Sequence, residues 1–226
     1  MHVLWLKTID QRPERAIMPL TKPYTLCMMT IYNQALFLKS AAKVEQLPLD
    51  SGNEVAFAGR SNAGKSSALN CLTGIKGLAR ISKTPGRTQL INVFTLDNDQ
   101  HRLIDLPGYG YAKVAQTIKH DWQQNLAHYL EVRQSLRGLV VLMDIRHPLK
   151  TLDKTLIDWG LARELPMHVL LTKADKLSRN QALQALLAVK KQFGNMPHSP
   201  TVQLFSSLKR QGIEELEQHL DPWILG

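Results

Sequence analysis

Gly59-Arg60-Ser61-Asn62-Ala63-Gly64-Lys65-Ser66 has the spacing GxxxxGK[ST]. A loop of this kind turns successive backbone N–H groups inward to cradle phosphate oxygens, and it needs glycine where a side chain would block the approach. Gly59 and Gly64 hold those positions, Lys65 adds a positive charge for the β- and γ-phosphates, and the Ser66 hydroxyl is placed to ligate Mg²⁺. Further along, Asp105-Leu106-Pro107-Gly108 offers a carboxylate that can hold Mg²⁺ through water and a Gly108 N–H for a γ-phosphate. Thr88, within Pro85-Gly86-Arg87-Thr88-Gln89, offers a second hydroxyl to the metal. Lys65, Thr88 and Gly108 are the residues expected to act on a transferred phosphoryl group, with Ser66 and Thr88 as metal ligands.

Thr172-Lys173-Ala174-Asp175 matches the guanine-reading pattern [NT]KxD. Its chemistry is a bidentate hydrogen bond: the Asp175 carboxylate accepts guanine N1–H and N2–H while the Lys173 stem packs over the base. Adenine has no such donor pair, so two charge-assisted bonds of about 1.5–3 kcal/mol each favour guanine by roughly two to four orders of magnitude. Phe205-Ser206-Ser207 places backbone N–H groups where guanine O6 would lie. Taken singly, a DxxG or an FSS is weak. In this order along one chain they are what a guanine-nucleotide domain requires.

The surrounding elements must bring these loops together. Glu54–Ala58 reads as a short buried strand before the phosphate loop, and Ser66–Leu72 as a helix with its N-terminus toward the phosphates. Leu90–Leu96 and Arg102–Leu106 read as an antiparallel hairpin across the polar turn at Asp97-Asn98-Asp99-Gln100. Leu139–Met143 is a continuous apolar run typical of a central parallel strand, and Met167–Leu171 and Val202–Phe205 are further strands. Helices are expected over Thr117–Arg133, Leu149–Leu165, Asn180–Phe193 and Ile213–Ile224, the last interrupted or ended near Pro222. Alternating strands and helices predict an α/β P-loop NTPase fold of the small-GTPase type. Its sheet is expected to be mostly parallel and six-stranded, with one antiparallel strand and helices on both faces. Tyr32–Ala41 is a segment that could add a strand against the domain. Ligands bind such sheets beyond the carboxyl ends of the strands, where every motif above falls.

The chain of 226 residues is long enough for one domain with an appendage. Its net charge of +9 and pI near 9.6 point to a polyanionic partner such as nucleic acid. Much of that charge is local: Lys76, Arg80, Lys83 and Arg87 lie between Gly74 and Thr88 with no acidic residue among them, in a segment read as a mobile basic loop. Ordering that loop around a γ-phosphate would present its charges together, a nucleotide-gated contact for RNA. Two cysteines, Cys27 and Cys71, exclude a disulfide framework or a zinc site and fit a reducing, cytoplasmic setting. No apolar run approaches the roughly 18 residues of a membrane span. Residues 1–30 carry Pro13, Pro19 and Pro23 without periodicity and read as a disordered extension, with Met18, Met28 and Met29 as alternative starts. His147 is read as shaping the turn or a partner surface, and Trp122, Trp159 and Trp223 as packing residues.

From about Tyr32 to Leu225 the chain resembles the EngB (YihA/YsxC) family of bacterial GTPases, within the Era/TrmE-like class. The resemblance rests on Gly59–Ser67, Lys83-Thr84-Pro85-Gly86-Arg87-Thr88-Gln89, Asp105-Leu106-Pro107-Gly108-Tyr109-Gly110-Tyr111-Ala112, Asp144-Ile145-Arg146-His147-Pro148, Thr172–Asp175 and Phe205–Ser207. It implies a monomeric GTP/GDP-binding, Mg²⁺-dependent factor for large ribosomal subunit assembly, with a role in cell division and septation. It implies nucleotide contacts from Gly59 through Ser66, from Gly86, Arg87, Thr88, Gln89 and Leu90, and from Asp105 through Gly108, Thr172 through Asp175 and Phe205 through Ser207. Tyr109 stands where Ras-like GTPases carry the glutamine that orients attacking water, so a low intrinsic rate is expected. In this class the asparagine matching Asn62 can help bind an activating K⁺; Asn62 as a plain turn former is the equal alternative. Two rivals are a GTP-dependent binding module whose hydrolysis is incidental, and a septum-associated signalling GTPase with protein partners.

Overall fold

The computed structural model describes residues 30–80, 90–97, 100–110, 116–194 and 198–226, with side chains omitted for 116–123. The expected extension at residues 1–29, the Lys83–Gln89 segment with Thr88, and the Trp122 side chain lie outside the described residues.

The strands are β1 (Leu36–Ala41), β2 (Asn53–Gly59), β3 (Ile91–Thr95), β4 (His101–Asp105), β5 (Leu136–Asp144), β6 (Met167–Thr172) and β7 (Thr201–Leu204). The helices are α1 (Lys65–Thr73), α2 (Gln116–Val132), α3 (Thr151–Ala162), α4 (Arg179–Phe193) and α5 (Ile213–Ile224). The sheet order is β1-β3-β4-β2-β5-β6-β7. β3 runs antiparallel to both of its neighbours, and the pairs from β4 to β7 are parallel. The sheet therefore has one reversed strand, as expected, but seven strands where six were expected. The seventh is β1, whose Leu36 and Phe37 are more than half exposed. As an edge strand it carries little burial pattern, and pairing with β3 alone makes it a strand.

Period-2 alternation sorts the strands between two apolar layers. Val55, Phe57, Val140, Leu142 and Leu170 face α1 and α5, packing with Leu69, Leu72, Leu216, Leu220 and Ile224. Ala56, Ala58, Leu139, Val141, Val169 and Leu171 face the opposite side, with Leu126, Leu130, Leu156 and Ile157. β5 is buried on both faces, which is why its sequence is continuously apolar. Gly138 in β5 is required by packing: a Cβ there would lie 2.2 Å from the Trp223 ring of α5. Trp159 and Trp223 are both partly buried against the two layers, as packing residues.

α5 does not stop at Pro222 but continues to Ile224. A proline in the last turn forfeits one backbone hydrogen bond, while Leu216, Leu220 and Ile224 stay fully buried on the sheet and the Ile224 carbonyl accepts from Asn53 Nδ2 at 2.9 Å. At the amino ends of the strands, fully buried Glu54 accepts from Arg102 Nε at 2.8 Å and from Arg133 Nη2 at 2.6 Å and Nε at 2.9 Å. Three charges share one buried network there, far from the loops at the other end of the sheet. No helix of the described residues is long and apolar enough to cross a membrane.

Candidate functional site

Loops from the carboxyl ends of β2, β4, β5, β6 and β7 converge on one edge of the sheet. The phosphate-type loop leaves β2 at Gly59, where a Cβ would sit 2.8 Å from the Leu142 carbonyl oxygen. It enters α1 through Gly64, whose φ of 97° lies in the left-handed region open to glycine. This geometry brings the loop's N–H groups together with the N-terminus of a nine-residue helix, an arrangement suited to anions.

The loop after β4 is zipped to the phosphate loop. Ser61 N–H donates to the Tyr109 carbonyl at 2.7 Å, and Tyr109 N–H donates to the Gly59 carbonyl at 3.3 Å. Gly108 sits so close that a Cβ there would lie 3.4 Å from Ser61 Cα. The Lys65 ammonium pairs with the Asp105 carboxylate, both nearly buried. Asp105 also accepts from Asn92 Nδ2 at 3.2 Å. Lys65 and Asp105 thus meet at the start of α1, where Ser66 follows Lys65, while Gly108 lies against the phosphate loop at Ser61. One hydroxyl and one carboxylate beside an anion cradle fit Mg²⁺, which keeps several waters and takes phosphate oxygens instead of an all-protein cage. Among the described residues no cluster of three or more histidine, cysteine or acidic side chains offers a different metal site.

A second group of residues is built where β6 and β7 end. The Thr172 hydroxyl reaches the Ala63 carbonyl at 2.5 Å and the Met143 carbonyl at 3.1 Å, tying the [NT]KxD segment to the phosphate loop. Lys173, at a left-handed φ of 59°, donates from Nζ to the Asn62 carbonyl at 2.7 Å and to Asp144 Oδ2 at 2.9 Å. Asn62 itself has a φ of 63°, a conformation asparagine tolerates better than most residues, so it does form the turn. Ala174 N–H donates to the Phe205 carbonyl at 3.1 Å. Ser206 Oγ, fully buried, donates to Asp175 Oδ1 at 2.5 Å. That hydroxyl, first among its causes, holds the Asp175 carboxyl below the usual carboxylate range. The hydrogen bond also fixes the orientation of the carboxylate expected to read guanine. Phe205 and Ser206 are both fully buried, and their N–H groups donate to the Leu171 and Gln211 carbonyls at 2.9 and 3.2 Å, so neither of these two amides expected near guanine O6 is turned toward a ligand in this structure.

Some of the site was not found from the sequence. Asp144, part of a longer motif without an assigned role, receives Arg146 Nε at 2.9 Å and Nη2 at 2.6 Å as well as Lys173. Arg146 first, then Lys173, holds its carboxyl well below the ordinary range. A carboxylate at the end of one parallel strand beside a lysine at the end of the next is the signal that could have found it. The basic segment read as mobile from Gly74 onward is pinned in its first part: Asn70 of α1 accepts from Ala79 N–H at 2.7 Å and donates to the Ala79 carbonyl at 2.9 Å. Lys76 and Arg80 remain exposed on it. Tyr109, at the position of a water-orienting glutamine, is buried, and its hydroxyl donates to Asp153 of α3 at 2.8 Å.

Comparison with known proteins agrees with this geometry. The family model for 50S ribosome-binding GTPases matches residues 54–173. The probable GTP-binding protein EngB of Coxiella burnetii (strain CbuG_Q212) is 54% identical over 192 residues, 85% of this chain and 93% of the relative. That of Pseudoalteromonas translucida (strain TAC 125) is 56% identical over 196 residues, 86% and 88% of the two chains. Two solved structures share the fold. A crystal structure of a probable GTP-binding protein engB has a TM-score of 0.62 at 21% identity, covering 76% of this chain and 98% of that one. Aquifex aeolicus Era bound to GDP and AlF4⁻ has a TM-score of 0.61 at 23% identity, covering 77% and 57%. With the family model spanning more than half of its length and EngB relatives more than half identical to it, the chain belongs to the EngB family of 50S ribosome-binding GTPases.

Proposed function

We propose that residues 31–226 form a GTPase domain that binds GTP·Mg²⁺, hydrolyses it slowly and uses its nucleotide state to engage and leave an assembly intermediate of the large ribosomal subunit. The observation that carries the guanine part is the Asp175–Ser206 contact, which holds the carboxyl below the usual carboxylate range two residues after Lys173, whose ammonium reaches the phosphate loop at the Asn62 carbonyl. The phosphates would lie along Gly59–Ser66, with Lys65 facing the β- and γ-oxygens; Ser66 and Thr88 would hold Mg²⁺, and Asp105 would reach it through water. Gly108 N–H meets the γ-phosphate, and Gly86, Arg87, Gln89 and Leu90 complete the nucleotide contacts.

Mg²⁺ neutralises charge on the transferred phosphoryl group. The chain's own residues position it and exclude bulk water. Tyr109 offers no side chain to orient attacking water, because its hydroxyl is already committed to Asp153. The intrinsic rate is therefore low, on the roughly 10⁻⁴ s⁻¹ scale of unstimulated switch GTPases. Asn62 helps hold an activating K⁺, and replacing K⁺ by Na⁺ should lower hydrolysis; equal rates in both salts would remove that role. The ribosomal partner is supported by the description of the family and by the basic charge of the chain, +9 overall. A role in normal cell division and septation is part of the same proposal, as the family resemblance implies.

The test is co-sedimentation with isolated large ribosomal subunits at moderate salt, comparing a non-hydrolysable GTP analogue with GDP. Binding with the analogue and release with GDP is expected. Equal binding in both states, or binding that survives ribonuclease and high salt, would favour protein partners instead, since phosphate contacts weaken steeply with salt.

A further inference from the structure

The residue after Gly108 is held at three points. Its amide and carbonyl are both bonded to the phosphate loop, at Gly59 and Ser61. Its ring is 2% exposed within the apolar layer on the α2–α3 side of the sheet. Its hydroxyl donates to Asp153 Oδ1 at 2.8 Å, and Asp153 is itself 1% exposed. The other Asp153 oxygen accepts the Lys150 N–H at 2.9 Å, so the carboxylate is fixed by the start of α3. Immediately beyond, Gly110 takes a φ of 76°, and a Cβ there would lie 2.9 Å from Arg60 Nε. An anchored tyrosine thus stands between the glycine expected to meet a γ-phosphate and a glycine that lets the chain turn away.

We propose that Tyr109, through its hydrogen bond to Asp153, is a positioning residue that sets the Gly108 N–H against the γ-phosphate and so strengthens triphosphate binding more than diphosphate binding. This inference rests on the nucleotide reading above. The phenol is tied by α3 to a fixed carboxylate, so the backbone on either side of it moves only with that helix or by breaking the bond. A satisfied core hydroxyl with no further role would look the same in burial and geometry. It would differ in energetics, because loosening it would weaken GDP and GTP binding alike.

Tyr109→Phe keeps the ring in its slot and removes only the hydroxyl. Asp153→Asn keeps the shape and an oxygen for the Lys150 N–H, but replaces the charge-assisted Tyr109 bond by a neutral one with the amide. Equilibrium binding of GDP and of a non-hydrolysable GTP analogue is measured first for the unaltered protein, then for both variants and their combination, with single-turnover hydrolysis alongside. Each variant is expected to bind the analogue about tenfold more weakly, the scale of one hydrogen bond to a charged acceptor, with GDP affinity changed less than about twofold. The double variant should be no worse than the poorer single variant, as a shared bond requires. An unchanged ratio of analogue to GDP affinity in folded Tyr109→Phe and Asp153→Asn overturns the assignment. Failure of the unaltered protein to bind either nucleotide overturns the nucleotide reading itself, and this inference with it.

Discussion

Replacing Asp175 by asparagine isolates the base-reading step. The carboxylate accepts from the Ser206 hydroxyl, and two residues before it Lys173 is anchored at the Asn62 carbonyl and Asp144. On the proposed reading it accepts two hydrogen bonds from guanine in the unaltered protein, each charge-assisted and contributing about 1.5–3 kcal/mol. Asparagine is nearly the same size, so the Ser206 bond to an oxygen survives, but the exposed amide nitrogen now faces the guanine N2 amino group, donor against donor. One bond is lost and the other becomes neutral, so affinity for GDP should fall by roughly two to four orders of magnitude. Xanthine carries an oxygen at position 2, which the amide can donate to while its own oxygen takes N1–H. Displacement of a fluorescent guanine nucleotide by GDP and by XDP reads both effects, and thermal melting confirms that the variant is folded. XDP should become the tighter ligand in Asp175→Asn. An unchanged preference for GDP in the folded variant would remove Asp175 from the base site.

Lys65→Ala should abolish measurable nucleotide binding by calorimetry, because it deletes the charge at the phosphates and leaves buried Asp105 without its ammonium partner; retained micromolar affinity would sink the phosphate-loop assignment. Glu54→Ala should destabilise the fold by about 3–5 kcal/mol in urea melts, since Arg102 and Arg133 are left buried without their carboxylate, and a change below about 1 kcal/mol would refute that account. His168 is the pH-sensitive element: burial first, then the His219 ring stacked at 4.1 Å, pushes its imidazole from the ordinary 6.5 down to about 3, with Lys190 adding to the effect and the Gln203 bond opposing it. A base kept neutral in the fold binds more protons when unfolded, so its contribution is complete above pH 6.5 and is lost as pH falls from 6.5 toward 3, at a slope of up to about 1.4 kcal/mol per pH unit. Melting temperatures between pH 7 and 5 should therefore fall more steeply for the unaltered protein than for His168→Gln; parallel slopes would show that His168 is not held neutral.

What could be read without the fold was local. The glycines of Gly59–Ser66, the carboxylates of Asp105 and Asp175, and the helical and alternating periods of the segments between them are set by neighbours within a few residues, so their types and spacing are visible in one dimension. α5 was placed to the residue at both ends for this reason. Its proline misled because a helix terminus is judged locally, while burial of Leu216, Leu220 and Ile224 decides it. β1 was uncertain for the opposite reason: with five of its six residues exposed, it has no pattern of its own and is a strand only through its pairing with β3.

The partners that define the site lie far apart along the chain. Lys65 and Asp105 are separated by 40 residues, Lys173 and Asp144 by 29, Tyr109 and Asp153 by 44, and Glu54 and Arg133 by 79. Each pairing depends on which strands are neighbours and in which register, and that is chosen by closing both apolar layers of the sheet at once. The sequence alone determined the chemistry available: a phosphate cradle, a metal-ligating hydroxyl and a guanine acceptor. Only the tertiary structure decided that Tyr109 turns inward to α3 and that Asp144 holds Lys173, because a side chain's direction is settled by packing across the sheet.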